Sequence, residues 1–240
     1  MFNSRHKLLR AAVPAFLSLL TACDYDDVKT GPSRNEPLSV DLGKADHANI
    51  ELDFGAGQLN LKGGGDNLVA GNFEYNSDAL KPIVQSLRNG SHAVVTIKQS
   101  SGHTNMHGNM KSQWNLQLND KTLLDLALNC GAGQADLDLR DVAIRSLRVQ
   151  MGAGQVNLDL RGHPNRDYEV EISGGVGQAT VHLPEGIGIR AEAHGGLGSI
   201  NVTGLEKMGD HYENSLYDKA KVNLRLKVEG GIGEINLLGS

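Results

Sequence analysis

The chain is short of aromatic residues, cysteine and basic charge, and each shortage removes a class of protein. Aromatics are 4% of the 240 residues, so the core cannot lean on large rings and must be a narrow one of Leu, Val, Ile and Ala. The two cysteines, Cys23 and Cys130, are too few for a disulfide framework or a Cys-based zinc site. Acids outnumber bases 28 to 23, for a formal charge of −5, which argues against nucleic acid and against an electrostatic grip on anionic lipid. The apolar stretch Ala11 to Ala22 has about a dozen residues, where a spanning helix needs about 20. Asp78 to Leu87 is the one candidate helix, and Pro82 inside it counts against that assignment. No serine sits in a nucleophile elbow, and His163, His182 and His194 fall in separate segments that form no triad.

What is present begins with a leader. Arg5, Lys7 and Arg10 form a basic flank, the apolar stretch follows, and Leu20-Thr21-Ala22-Cys23 resembles a bacterial lipobox. The expectation is cleavage before Cys23 and lipidation of its thiol, which would hold the protein on a membrane without a spanning helix. Asp24 then occupies the position of an inner-membrane retention signal, and if it acts as one the expected location is the periplasmic face of that membrane. Loss of residues 1–22 removes those three bases and no acid, leaving 20 bases, 28 acids and a charge of −8. Residues 23–39, polar and carrying Gly31-Pro32-Ser33, read as the lipidated cysteine and a flexible tether.

From Val40 the pattern is β. Ile50 to Phe54, Tyr168 to Ile172 and Leu224 to Val228 alternate apolar and polar residues, the mark of strands with one buried face. Asn89-Gly90, between Pro82–Leu87 and His92–Gln99, signals a hairpin. Ser100 to Ser112 reads as a loop, and Leu205 to Lys219 as an insertion. The dominant feature is one motif, Gly-x-Gly-polar-apolar-polar-apolar, which starts at Gly55, Gly131, Gly152, Gly175, Gly196 and Gly231. Its middle spacings are 21, 23 and 21 residues, a period at which each unit needs its neighbours to bury an apolar face. The expected fold is all-β, a single-stranded β-solenoid-like stack, irregular over 40–120 and regular over 121–240. The glycines read as bends or bulges where one coil turns a corner or packs closely on the next, since a phosphate loop would need a helix behind it.

The residue before each motif and the residue between its glycines compensate in size. Phe54, Cys130 and Met151 are followed by alanines, whereas Gly174, Gly195 and Gly230 are followed by Val176, Leu197 and Ile232. Residues two apart on a strand share a face, so each pair is expected to share one pocket, with Cys130 a buried, inert thiol. The open ends of the stack should need capping. Residues 40–120 would cap one, and Leu237 and Leu238 at the C-terminus would leave the other open to self-association.

The candidate chemistry is sparse. Gln58, Gln134, Gln155 and Gln178 recur at one offset, Asn60, Asp136, Asn157 and Asn201 at another, and in a stack they would form polar ladders on one face. Asp138 and Asp159 share a slot with Asp136 nearby, and make a candidate Ca²⁺ or acid/base site unless Arg140 and Arg161 neutralise them. His103 and His107, with Met106 and Met110, are a candidate copper site in a loop. Trp114 is expected to pack.

The pieces CGAGQADLDL from Cys130, MGAGQVNLDL from Met151, the run from Tyr168 through GGVGQATVHLPEG and the closing GGIGEINLLG resemble the bacterial toastrack domain, a candidate adhesin domain of unknown function. They are also similar to the C-terminal part of cell-wall-active antibiotic response proteins. The resemblance covers Val40 to Ser240, most strongly from Leu123. It implies a toastrack stack over 40–240, an envelope location and no known enzymatic activity, with the motif residues structural. Unlike the membrane-embedded relatives, this chain has a lipobox and no bundle of spanning helices. The functional expectation is a lipid-anchored, non-enzymatic envelope protein without cofactor, presenting a β surface to an envelope protein or to itself. The alternatives are a Ca²⁺-dependent glycan binder or glycan-active enzyme using Asp136, Asp138 and Asp159, and a purely structural envelope protein.

Overall fold

A computed structural model describes residues 30–100 and 110–239. The strands are β1 (Arg34–Val40), β2 (His47–Gly65), β3 (Val69–Tyr75), β4 (Pro82–Asn89), β5 (His92–Gln99), β6 (Ser112–Asn119), β7 (Leu123–Asp138), β8 (Ile144–Asp159), β9 (Tyr168–His182), β10 (Gly188–Thr203), β11 (Glu206–Met208), β12 (His211–Glu213) and β13 (Asn223–Leu238). Among the described residues a single 3-10 turn, Asp78–Leu80, stops one residue short of Pro82, which opens β4.

Each motif lies in the middle of a long strand. At ~3.3 Å per residue, a straight β7 would span about 50 Å. Yet β8 starts beside the start of β7, with Leu124 opposite Ile144, after only residues 139–143, which reach at most about 20 Å. The strand must therefore fold back on itself, and it does so at the glycines. Every coil is a first arm, a glycine corner, a second arm and a short return. Apolar residues face inward on both arms: Leu124, Leu126 and Leu128 before the corner of β7, Ala135 and Leu137 after it, and Leu139 in the return.

The corner explains why glycine is required twice. The second glycine of each motif has φ between +129° and +145°. A Cβ at Gly154 would stand 1.9 Å from the Gly133 carbonyl oxygen of the coil below, and one at Gly152 would stand 2.4 Å from that of Gly131. Backbone packs on backbone all along this edge.

The parallel stack runs β2, β7, β8, β9, β13, β10. β5 pairs with the first arm of β2 and β6 with its second arm, so these two strands together replace a seventh coil. At that place Gln99 caps the corner, its Oε1 accepting from the N–H groups of Gly55 (2.6 Å) and Ala56 (3.2 Å). β4 closes the first-arm sheet beyond β5 through the Asn89-Gly90 hairpin, Gly90 having φ +62°. β3 and β1 close the second-arm sheet beyond β6. Four aromatics lie at this end, Tyr75 on β3 and Trp114 edge-on to Phe54 and Phe73, both at 5.1 Å.

Four expectations need correction. The fold begins before residue 40: Arg34–Val40 pairs with β3, Leu38 and Val40 are buried, and Gly31 N–H donates to Asn76 O at 2.8 Å. The polar sequence suggested tether, but β1 is an edge strand, where polar residues and Pro37 are tolerated. Second, the paired residues at the corner do not share a pocket. Cys130 and Met151 are buried, but Val176, Leu197 and Ile232 are 53%, 72% and 52% exposed. The first glycine drops out of the pairing register, so the corner acts as a bulge and shifts the alternation by one residue. The inward neighbour is the residue five on from the small one: a Cβ at Gly195 would meet Ile200 and one at Gly230 would meet Ile235, at 3.5 and 3.4 Å.

Third, the last two repeats do not stack in chain order. β11 and β12 fold back onto the first arm of β10, and Asn214 pins the return by donating to Ile187 O and accepting from Ile189 N–H. β13 then inserts between β9 and β10. Fourth, and in consequence, Leu237 is fully buried and the open edge belongs to β10, not to the C-terminus.

Candidate functional site

Beyond the corner, the polar residues of each second arm face outward in strict register. Gln58, Gln134, Gln155, Gln178, Glu234 and Ser199 stand side by side from β2 to β10, and Asn60, Asp136, Asn157, Thr180, Asn236 and Asn201 form the next row. Asn115 and Asn72 extend that second row across β6 and β3. At ~4.8 Å per strand the row is roughly 35 Å long.

The ladder is held by its own hydrogen bonds. Asn60 donates to Asn115 (2.7 Å), Asn157 and Gln134 to Asp136 (2.7 and 2.8 Å), and Gln178 to Glu234 (2.8 Å). Asn201 donates to both Glu234 and Asn236 at 2.8 Å. These bonds fix the amide orientations while the side chains stay at the surface, so the face is preorganised. Toward β3 it hollows into a depression of about 660 Å³ lined by Asn60, Lys62, Asn72, Asn115, Asp136 and Asn157.

Asp136, Asp138 and Asp159 all border this depression, with His182 opposite Asp159. The arginines take the last two carboxylates. Arg140 forks onto both oxygens of Asp138 (2.8 and 2.6 Å) and Arg161 onto both of Asp159 (3.0 and 2.7 Å). The hydrogen bonds from Arg140 and Arg161 hold these carboxyls below their usual range, the reverse of what a general acid needs. No cluster of His, Cys, Asp and Glu suited to a metal occurs among the described residues. Cys130 is buried as expected, and burial pushes its thiol up to about 12, so it is no nucleophile. Cys23, His103, Met106 and His107 lie outside the described residues.

The outer face of the first arms is different in kind. It carries cross-strand ion pairs, Arg148–Glu171 at 3.1 Å and Arg225–Glu169 at 2.9 Å, around a hollow of about 930 Å³ over Ala127. One group there escaped the sequence reading. Asp125 accepts from Arg145 Nε (2.9 Å) and Ser146 Oγ (2.5 Å), and His47 Nε2 lies 2.8 Å from its other oxygen. Burial pushes this carboxyl up, but the three partners outweigh burial and hold it at about 2. Ser146 bonds to the carboxylate and not to the imidazole, so the group is a clamp between coils and not a triad. Alignment of β2 and β7 on their glycines brings His47 near Asp125, although 78 residues separate them.

The profile of a family described as the N-terminal domain of toast_rack matches residues 29–182. The match thus takes in the irregular N-terminal strands as well as the first regular coils. A solved structure of a candidate cell adhesion protein from Clostridium sporogenes ATCC 15579 is 30% identical and superposes with a TM-score of 0.79, over 87% of this chain and 100% of that one. Candidate adhesins from Bacteroides fragilis NCTC 9343 (11% identity, TM-score 0.28, 86% and 97% covered) and Parabacteroides distasonis ATCC 8503 (15%, 0.31, 87% and 100%) superpose too poorly to support a conclusion. No curated protein matches significantly.

Proposed function

The chain belongs to the toast-rack family, and on that premise we propose that it is an adhesin-like, non-enzymatic protein of the cell envelope, anchored by lipid at Cys23, whose amide ladder contacts another envelope component. The observation that carries the reading is the ladder itself. Two rows of amide and carboxylate groups cross the second-arm sheet in fixed orientation, and their hydrogen bonds to one another leave further donors and acceptors for a partner. Such a strip suits a polar, extended ligand such as a glycan or a protein strand better than a small apolar molecule. The perturbed carboxylates Asp125, Asp138 and Asp159 are structural, held by arginine or by the Asp125 clamp, which supports binding over catalysis.

The anchor is supported by the leader sequence and by the start of the fold. Seven residues lie between Cys23 and Gly31, whose N–H makes the first backbone bond among the described residues. Even fully extended, the stretch from Cys23 to Gly31 reaches at most about 28 Å, which would keep the sheet close to the bilayer. No helix among the described residues is long and apolar enough to cross a membrane. The test is crosslinking in intact cells with the native chain and with Cys23→Ser. A specific envelope component that co-purifies with the native chain and is lost with the variant is expected. Equal membrane retention of both forms would overturn the anchor.

A further inference from the structure

Three sheet edges carry protection against pairing with another chain. β1 has Arg34, Glu36 and Pro37, β4 has Pro82 and Arg88, and β11 has Glu206 and Lys207. The second arm of β10 has none. No described strand lies beyond it, and Gly195 to Leu205 contains neither a charge nor a proline. The core is open at this point. Ile200 and Val202 are only partly buried, whereas Ile235 and Leu237, their equivalents on β13, are 4% and 0% exposed. Leu197 continues an exposed apolar row with Ile232 and Val176 on the two strands behind it.

The sequence of this edge says what fits it. Leu197 to Leu205 reads Leu-Gly-Ser-Ile-Asn-Val-Thr-Gly-Leu, nearly the same in both directions about Asn201. An antiparallel neighbour is read in reverse, so a second copy related by a two-fold axis at Asn201 meets this strand like to like. Ser199 faces Thr203, Ile200 faces Val202, and Asn201 faces itself; the pairing ends there, because Gly204, with φ +74°, turns the chain out of β10 before Leu205. In one strand, Ile200 and Val202 are on the core side and Ser199, Asn201 and Thr203 are on the amide side. We propose that the open edge of β10 pairs with a second copy of this chain across that axis, joining the two second-arm sheets. The pair covers the open core with Ile200 and Val202 from each copy and carries both amide rows across the axis without a like-charge contact. The interface is isologous and uses the edge up. Growth from the far end of the sheet is blocked at β1 by Pro37, which lacks an N–H, so the product is a closed dimer and not a fibre.

One strand edge is smaller than the ~800 Å² per partner of a standard interface, so association in the micromolar range is expected. The experiment is sedimentation equilibrium on the chain from residue 23 with Cys23→Ser, from roughly 1 to 200 µM. Ser199→Lys with Thr203→Lys puts lysine opposite lysine twice across the axis, and is expected to weaken the dimer about tenfold. Ser199→Lys with Thr203→Glu puts opposite charges there and is expected to restore it. Both positions are exposed, and an unchanged melting temperature of the monomer confirms that each variant folds. A parent that stays monomeric throughout, or a dimer with equal affinity in the two variants, overturns the proposal.

Discussion

Glycine has different roles at neighbouring positions of one motif, and substitution separates them. Gly154 has φ +136° and no room for a Cβ, so Gly154→Ala is expected to cost about 3 kcal/mol or more by denaturant unfolding. At Gly174 a Cβ would meet nothing closer than 4.0 Å, and the backbone is one any residue adopts. Gly174→Ala should stabilise by about 0.5–1 kcal/mol, because it restricts the unfolded chain. Asp125 gives a second prediction at this scale. Its folded carboxyl sits at about 2, against about 3.9 unfolded, so its stabilisation is full above about pH 4 and is lost as pH falls through about 2. Asp125→Asn should lower the urea midpoint at pH 7, and its deficit against the parent should shrink between pH 4 and pH 2. At Asp138 and Asp159 the arginine forks already occupy the carboxylate oxygens, so millimolar Ca²⁺ should leave the melting temperature unchanged. A rise abolished by Asp138→Asn would restore the Ca²⁺ reading.

At the scale of elements, the bent strand is the unit. A 21-residue coil cannot hold a straight 16-residue strand, and a corner of small residues is how this chain returns to its starting line. That much was legible in the repeat spacing, as were the Asn89-Gly90 hairpin, the packed Trp114 and the buried Cys130. The effect of the corner bulge on which side chains face inward was not, because alternation on each side looks regular and the one-residue shift shows only when both arms are placed on one core. Nor was the insertion of β13 between β9 and β10. Local pattern assigns a strand but not its neighbours, and the β11–β12 fold-back that diverts the chain looks in sequence like a polar insertion. Hydrogen exchange in dilute solution should report this order. Amides of Ile235–Leu237, near the C-terminus but interior, should exchange more slowly than those of Ile200–Val202 at the edge.

For the whole molecule, the stack has two unlike outer faces and two unlike ends. The first-arm face is covered by ion pairs that satisfy one another, and the second-arm face by amides that do so only in part. One end is closed by aromatics and charged edge strands, and the other is left open at β10. The amide rows were visible in sequence because their period matches the glycines. The depression beside them, where β6 and β3 add Asn115 and Asn72, was not, since those residues carry no motif.

The central claim is that the amide face does the binding. It is tested most directly by measuring the association of the soluble Cys23→Ser chain with purified cell envelope, for two surface variants side by side. Asn60→Leu with Asn157→Leu removes donors from the ladder, and Arg148→Ala with Glu171→Ala removes an ion pair from the opposite face. The account predicts about tenfold weaker binding for the first and parental binding for the second. Loss in the second with the first unaffected, or parental binding by both, would contradict it.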